Sequence, residues 1–462
     1  MTLIKSISGI RGTIGGAVGD NLTPIDAVKF AAAYGVWVKQ QRNKDNYRVV
    51  VGRDARISGN MIQNLVMHTL VGMGIHVIDL GLSTTPTVEM AVPMEHADGG
   101  IILTASHNPK QWNALKLLNS DGEFLNAVEG AKILEIAESN DISFADVDSL
   151  GKITKNKAYF DLHIIEVLDL DVVNVPAIEN AKFKVVVDGV NSTGGIVIPL
   201  LLERLGVHVV KLYCEPNGQF PHNPEPLKEH LTDLSKKVVE TGADFGIVVD
   251  PDVDRLAFMD ENGEMFGEEY TLVACADYVL SRTPGNTVSN LSSTRALKDI
   301  TEKYGGTYEA SAVGEVNVVS LMKKNKVVIG GEGNGGIIYP ASHYGRDALV
   351  GIALFLSLLA DRNMSVSELR KTYPSYFMSK KKIELTPGLD VDGILKTIES
   401  RYKNEQLTTI DGVKIDFPES WVHLRKSNTE PIIRIYTEAK SQQEADALAD
   451  RFIKELSEIA NI

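Results

Sequence analysis

Apolar residues fall into short continuous runs separated by stretches of helical period, and one such arrangement recurs. Tyr47-Arg-Val-Val-Val-Gly52 reads as a strand, residues 53–59 as a turn, residues 61–73 as a helix stopped by Gly74, and Ile75-His-Val-Ile-Asp79 as a second strand. The same order returns at residues 183–188, 189–194, a helix to Leu205 and residues 206–211. A fainter copy runs through residues 287–291, a helix over 294–304 and residues 306–309. Short strands alternating with helices are the mark of crossover connections, so three related α/β domains with mainly parallel sheets are expected.

Ahead of the first copy, Thr23 as N-cap and Pro24 at the first helical position open a helix with apolar residues at Val28, Ala31, Ala32 and Val36. Residues 9–12, flanked by glycines, read as a tight turn that projects Arg11. Past Lys380-Lys-Lys382 the pattern changes. A helix near 394–402, strands at 413–417, 421–424 and 432–436, and a final helix opened by Ser441-Gln-Gln-Glu444 predict a small α+β domain. The polar stretch 141–157 and the segment after Asp254 mark boundaries, giving domains 1–153, 154–256, 257–372 and 373–462.

Composition adds exclusions. The chain of 462 residues is 44% hydrophobic and 23% charged, an ordinary globular balance. Its formal charge of −14 lacks the basic footprint that a phosphate backbone needs, which argues against nucleic acid. Two cysteines, Cys214 and Cys275, suit a reducing compartment without a disulfide framework. The most apolar stretch, 348–360, is bounded by Asp347 and Asp361 and is too short to span a bilayer. It reads as a buried helix, and a cytoplasmic location is expected.

Two distant stretches suggest chemistry. Thr104-Ala-Ser-His-Asn-Pro109 places a hydroxyl in a turn after the apolar run 99–103, and Asp250-Pro-Asp-Val-Asp-Arg255 follows the apolar run 245–249. Alternate acids in an extended segment at a strand end would aim around one point and hold a hard divalent cation such as Mg2+, with the serine as phosphoryl carrier. Either stretch alone reads as an ordinary polar turn. Gly330-Gly-Glu-Gly-Asn-Gly-Gly336, after an expected strand at 326–329, lets a ligand approach closely while Glu332 and Asn334 offer hydrogen bonds. It lacks the spacing of a dinucleotide-binding loop. Between two strands, Arg425, Ser427, Asn428, Thr429 and Arg434 assemble donors suited to a phosphate dianion.

Together these four motifs, in this order, resemble the α-D-phosphohexomutase family, which includes phosphoglucomutases, phosphomannomutases and phosphoglucosamine mutases. The resemblance covers nearly the whole chain. It implies four domains around a central cleft, the last with a fold similar to TATA-box-binding protein, each giving one loop to the site. It implies Ser106 as the phosphoserine, Asp250, Asp252 and Asp254 with that phosphate as Mg2+ ligands, and Glu332 and Asn334 in sugar recognition. Arg425, Ser427, Asn428, Thr429 and Arg434 would grip the non-reacting phosphate, while Arg11, His107, Lys116 and Arg255 line the reacting groups. The implied partner is a small sugar phosphate, with a hexose 1,6-bisphosphate as intermediate and activator, and the implied assembly a monomer or homodimer. Glucosamine phosphate is preferred by a small margin over glucose or mannose phosphate, since the Asn-Gly-Gly loop resembles that branch as well as the mannose and glucose enzymes. Many members carry histidine where Gly336 stands, so Lys116, with its pKa lowered, is expected as acid/base, and His343 is a substitute. A metal-dependent sugar phosphatase and a non-catalytic sugar-phosphate binder are the rival readings.

Overall fold

The strand-turn-helix-strand order read from the sequence is the first half of a longer unit. The computed structural model describes residues 2–6, 9–139, 141–384, 389–426 and 432–460, which form four sheets. The first holds β1 (Ile4–Ser6), β2 (Gly9–Thr13), β3 (Tyr47–Arg53), β4 (Ile75–Leu82), β5 (Gly99–Leu103), β6 (Trp112–Leu118) and β7 (Ile153–Lys155), in the order β1-β2-β6-β5-β3-β4-β7. The second holds β8 (Lys184–Asp188), β9 (His208–Leu212), β10 (Phe245–Val249) and β11 (Leu256–Met259), in the order β11-β10-β8-β9. The third holds β12 (Thr287–Asn290), β13 (Tyr308–Ser311), β14 (Ile329–Glu332) and β15 (Gly336–Ile338), in the order β13-β12-β14-β15.

Each of these sheets contains the same four-strand unit. Three strands run parallel, and the last folds back antiparallel along one edge: β6 on β5, β11 on β10 and β15 on β14. The connection into that last strand leaves the carboxyl end of a buried parallel strand, the place where open α/β sheets bind ligands. Here those three connections are residues 104–111, 250–255 and 333–335. Three of the four motifs are therefore the same hairpin in three repeats.

The strands feeding the first two hairpins are apolar because helices cover both faces of their sheets; Phe245 to Val249 are all buried. The second and third units share one core, in which Phe258 stacks on Phe355 with ring centroids 3.7 Å apart. Phe355 belongs to the buried helix Ala348–Arg362, whose N-cap Asp347 accepts from the backbone N–H groups of Leu349 and Val350. No described helix is long and apolar enough to cross a membrane. Cys275 lies in this core and Cys214 at its margin.

The fourth sheet is antiparallel, with β16 (Phe377–Glu384), β17 (Gln406–Thr408), β18 (Val413–Asp416), β19 (Trp421–Lys426) and β20 (Ile432–Ala439) in the order β16-β20-β19-β18-β17. Helices Val391–Arg401 and Gln442–Ala460 supply the rest of its core. It docks on the third unit through buried polar contacts. Arg295 reaches Glu438 (3.5 Å) and the Ser420 carbonyl (2.9 Å), while His423, held within its own unit by the Asp411 carbonyl (2.7 Å), bonds Ser292 Oγ across the seam (2.9 Å).

Several local expectations are corrected. Residues 9–13 form β2, not a turn, and Arg11 is held in register opposite Ala114 of β6. The strand expected at 326–329 begins only at Ile329 and runs through the glycines, because Lys326 is the left-handed C-cap of helix Glu315–Asn325. The helix expected over 294–304 is Ala296–Lys303. β7 joins the first sheet and β11 the second, so those sheets extend past the boundaries expected at 153 and 256. β16 and β17 gave no recognised pattern, since β16 is threaded with lysines, of which Lys380 pairs with Glu268 and Glu269 and Lys381 with Asp450.

Burial pushes the His423 imidazole down to about 4, against the opposing pull of its bond to the Asp411 carbonyl. Unfolded, the ring takes a proton near its ordinary value of about 6.5. Between those values the unfolded chain binds the extra proton, so stability falls as pH falls, by at most about 1.4 kcal/mol per pH unit for this group. Denaturant titrations from pH 7 to 4 are expected to show that slope and to lose it in His423→Gln.

Candidate active site

The serine loop is shaped by a buried ion pair just past β3. Asp54 and Arg56 are almost wholly inaccessible to solvent, and Arg56 Nε donates to Asp54 Oδ2 at 3.0 Å. Asp54 Oδ2 also accepts from Thr104 Oγ1 (2.6 Å), whose oxygen in turn accepts the Ser106 backbone N–H (3.0 Å). The outer nitrogens of Arg56 donate to the carbonyls of Ser106, Asn108 (2.6 Å), Pro109 (2.7 Å) and Trp112 (3.0 Å). One guanidinium thus gathers four loop carbonyls, of which the Ser106 carbonyl is bonded in the interior. It holds Ser106 in the left-handed region, at φ 48°, where a residue with a Cβ sits only under constraint. The result is that Ser106 Oγ donates to Asp250 Oδ2 at 2.6 Å, across two units.

The acidic hairpin is a turn, not the extended segment expected. Asp250 Oδ1 accepts the backbone N–H groups of Asp254 and Arg255, both at 3.2 Å, which curls the chain back on itself. Val253, a β-branched residue at φ 65°, is strained; its side chain is anchored in the apolar core, leaving the acids on either side to face the site. Ser192 Oγ (2.6 Å) and Thr193 Oγ1 (2.9 Å) donate to the Pro251 carbonyl, and Thr85 Oγ1 donates to Asp252 Oδ2 (2.5 Å).

All three aspartates are fully buried, and one oxygen from each lies within 4.8 Å of the others. Asp252 Oδ1 and Asp254 Oδ1 have no hydrogen-bond partner. Burial and the neighbouring Asp254 and Asp252 charges push the Asp250 carboxyl well above its ordinary value. For Asp254 burial acts the same way, but Arg346, Lys116 and Arg255 overcome it and hold that carboxyl below the usual range. Buried oxygens without donors, crowded with like charge, fit a hard cation that prefers oxygen ligands.

Cationic groups close around the triad. Lys116 Nζ, on β6, donates to Asp252 Oδ2 (2.7 Å) and Asp254 Oδ2 (3.3 Å). Burial alone would lower the Lys116 pKa; Asp252 and Asp254 outweigh it, and the net shift is upward, opposite to the lowering expected of a base. His107 Nδ1 lies 3.4 Å from Ser106 Oγ, and burial, Arg255 and Arg11 hold its pKa well below the ordinary value. Arg11 bonds Asn108 Oδ1 at 2.8 Å and Arg255 reaches Glu225 at 3.3 Å.

Glu332 joins the cluster through a residue the sequence reading missed. Arg346 donates to both Glu332 Oε2 (2.9 Å) and Asp254 Oδ2 (2.7 Å). The other Glu332 oxygen accepts from Asn290 Nδ2 (2.7 Å) and the Gly314 N–H (3.2 Å). Asn334 forms the hairpin tip, its Oδ1 accepting from Gly336 N at 3.3 Å. Arg425 and Arg434 are register partners on β19 and β20, in a separate group where Asp411 lies 3.8 Å from Arg425. Ser427, Asn428 and Thr429 lie outside the described residues. His343 is turned away from the triad, toward Asp347 (3.2 Å) and Glu89 (3.5 Å). Asp54, Arg56, Thr85 and Glu315 were also missed. Asp54-Ala-Arg56 in the turn after a strand was the available signal, since an Asp-x-Arg pair there can fold back on itself.

Models of the four phosphoglucomutase/phosphomannomutase domains match this chain: α/β/α domain I over residues 3–143, domain II over 159–263, domain III over 267–376 and the C-terminal domain over 379–455. A phosphoglucomutase/phosphomannomutase of Thermococcus kodakarensis is 36% identical over 460 residues, covering 97% of this chain and 98% of the relative. A probable phosphoglucosamine mutase of Methanopyrus kandleri is 32% identical over 450 residues, covering 96% of each. The crystal structure of a phosphoglucomutase/phosphomannomutase family protein from Burkholderia thailandensis superposes with a TM-score of 0.85 at 25% identity, over 99% of this chain and 98% of that one.

Replacing Arg56 by Met would strand the Asp54 carboxylate and the loop carbonyls in the interior. The expected cost is about 3–5 kcal/mol of stability, read from urea denaturation of Arg56→Met against the unaltered chain; a loss under about 1 kcal/mol would mean the pair does not organise the loop.

Proposed function

The chain belongs to the phosphoglucomutase/phosphomannomutase family of phosphohexomutases, and from that premise we propose that Ser106 carries the phosphoryl group it transfers. As a phosphohexomutase it is an intramolecular phosphotransferase of the isomerase class. The observation that carries our reading is the 2.6 Å contact between Ser106 Oγ and Asp250, which joins the serine and acidic hairpins. Asp250, Asp252, Asp254 and a phosphate on Ser106 would hold Mg2+. When bound, that ion supplies positive charge to the oxygens of the transferring group.

The free hydroxyl of a hexose 1- or 6-phosphate attacks phosphorus as the bond from phosphorus to Ser106 Oγ breaks, and the hydroxyl proton leaves to a base. Ser106 is released as alkoxide toward the cationic cluster, and the product is the hexose 1,6-bisphosphate. That intermediate turns over in the cleft, and its other phosphate returns to Ser106. Arg11 and Arg255 face the equatorial oxygens. His107, beside Ser106 Oγ, and Lys116, an ammonium tied to Asp252 and Asp254, are the groups that handle protons there. Glu332 and Asn334 read the hexose. Arg425, Ser427, Asn428, Thr429 and Arg434 hold the remote phosphate, whose binding energy fixes the reacting hydroxyl near the donor.

The substrate in this reading is a glucosamine phosphate. The Asn334-Gly-Gly336 loop and the resemblance to the Methanopyrus kandleri protein support it, and the name of the Thermococcus kodakarensis relative makes glucose and mannose phosphates the competitors. We place the enzyme in the cytoplasm, in keeping with its two unpaired thiols.

Specificity constants for glucosamine, glucose and mannose phosphates, each with its 1,6-bisphosphate as activator, test the assignment. The highest is expected for glucosamine phosphate, and Ser106→Ala is expected to abolish turnover with all three. Full turnover in Ser106→Ala, or release of inorganic phosphate without any dependence on bisphosphate, would overturn it.

A further inference from the structure

Arg346 lies between β15 and the helix Ala348–Arg362, outside every motif read from the sequence, and its donors are spent on three separate segments. Nη2 donates to Asp254 Oδ2 (2.7 Å), Nη1 to Glu332 Oε2 (2.9 Å) and Nε to Glu315 Oε2 (3.0 Å). Its backbone N–H donates to the other Glu315 oxygen, also at 3.0 Å. The side chain is buried, so these ion pairs are shielded from water and geometrically fixed.

The space it occupies is created by Gly336. A Cβ built there would lie 2.3 Å from Arg346 Cδ and 3.0 Å from its Cγ, closer than nonbonded carbons approach. This is the position at which the family resemblance implies a histidine in many members. His343, the substitute expected from sequence, bonds Asp347 instead. Arg346 thus fills the volume that a side chain at 336 would need.

We propose that Arg346 is a positioning residue that ties the acidic hairpin to the sugar hairpin, setting metal affinity and sugar affinity together, in the space left by Gly336. At Asp254 its bond to Oδ2 leaves the buried, unpartnered Oδ1 facing the metal position; at Glu332 it fixes the carboxylate that reads the hexose. Its role is orientation, because a guanidinium keeps its proton at any working pH. The inference rests on the phosphohexomutase reading for its sugar half, while its metal half stands without turnover.

Arg346→Lys keeps the charge but offers one nitrogen where the guanidinium uses three, so it cannot reproduce the separate bonds to Asp254, Glu332 and Glu315. Gly336→Ala leaves the arginine intact and pushes it from its seat. The measurements are the Mn2+ dissociation constant by isothermal calorimetry without sugar, KM and kcat for the sugar monophosphate, and the thermal midpoint. In both variants the Mn2+ constant and KM are expected to rise about tenfold, the size usual for groups that orient metal ligands. A purely structural role would lower the thermal midpoint and leave both constants within about twofold of wild type, and that result overturns the proposal. If Arg346→Lys does not fold, Gly336→Ala decides alone. Release of inorganic phosphate by the wild type would count against the mutase reading, and the sugar-free Mn2+ constants would still decide the role of Arg346.

Discussion

Three carboxylates from one five-residue turn are buried together, and the surrounding fold is arranged to make that tolerable. Asp250, Asp252 and Asp254 sit in the interior with no solvent to spread their charge. Each has one oxygen engaged by a donor from another unit: Ser106 on Asp250, Lys116 and Thr85 on Asp252, Arg346 and Lys116 on Asp254. First- and third-unit side chains therefore compensate a second-unit turn. Two of the remaining oxygens stay without donors, which leaves them available to a cation.

That arrangement follows from topology. In each repeat the fourth strand returns antiparallel, which puts a hairpin at the carboxyl end of the buried parallel strand before it. One fold thus produces three equivalent loops, and their side chains set them apart, the first bearing a hydroxyl, the second a set of acids and the third a glycine-rich tip. The apolar core shared by the second and third units presses the last two together, and the Leu256 N–H donates to the Gly335 carbonyl between them at 3.0 Å. Gly335, at φ 85°, must lack a Cβ, since one would lie 2.2 Å from the Leu256 carbonyl oxygen.

The repeats were legible in the sequence where period and composition agreed. Strands such as Phe245–Val249 are uninterrupted apolar runs, and the helix Pro24–Gln41 announces itself with Thr23, Pro24 and Asp26. Legibility failed where glycine or lysine disguised a strand, as in Ile329–Glu332 and Phe377–Glu384. In the site, Lys116 came only with the family resemblance, whereas residues inside compact motifs were visible: Ser106, the three aspartates and Glu332. Residues that act by long-range pairing were not. Arg346 lies 92 positions from Asp254, and nothing local distinguishes it from a surface arginine before a helix cap. The upward pull on the Lys116 pKa was hidden for the same reason, since it comes from two acids more than a hundred residues away.

The transfer proposed for this site requires a phosphate on Ser106 to touch a cation held by the acidic turn. Phosphorus NMR of the Ser106-phosphorylated protein titrated with Mn2+ tests that contact most directly, because a paramagnetic ion acts only on nuclei close to it. The phosphoserine resonance is predicted to broaden beyond detection as the site fills, and Asp252→Asn to weaken the effect. A phosphoserine line that keeps its width at saturating Mn2+ would contradict the proposed contact.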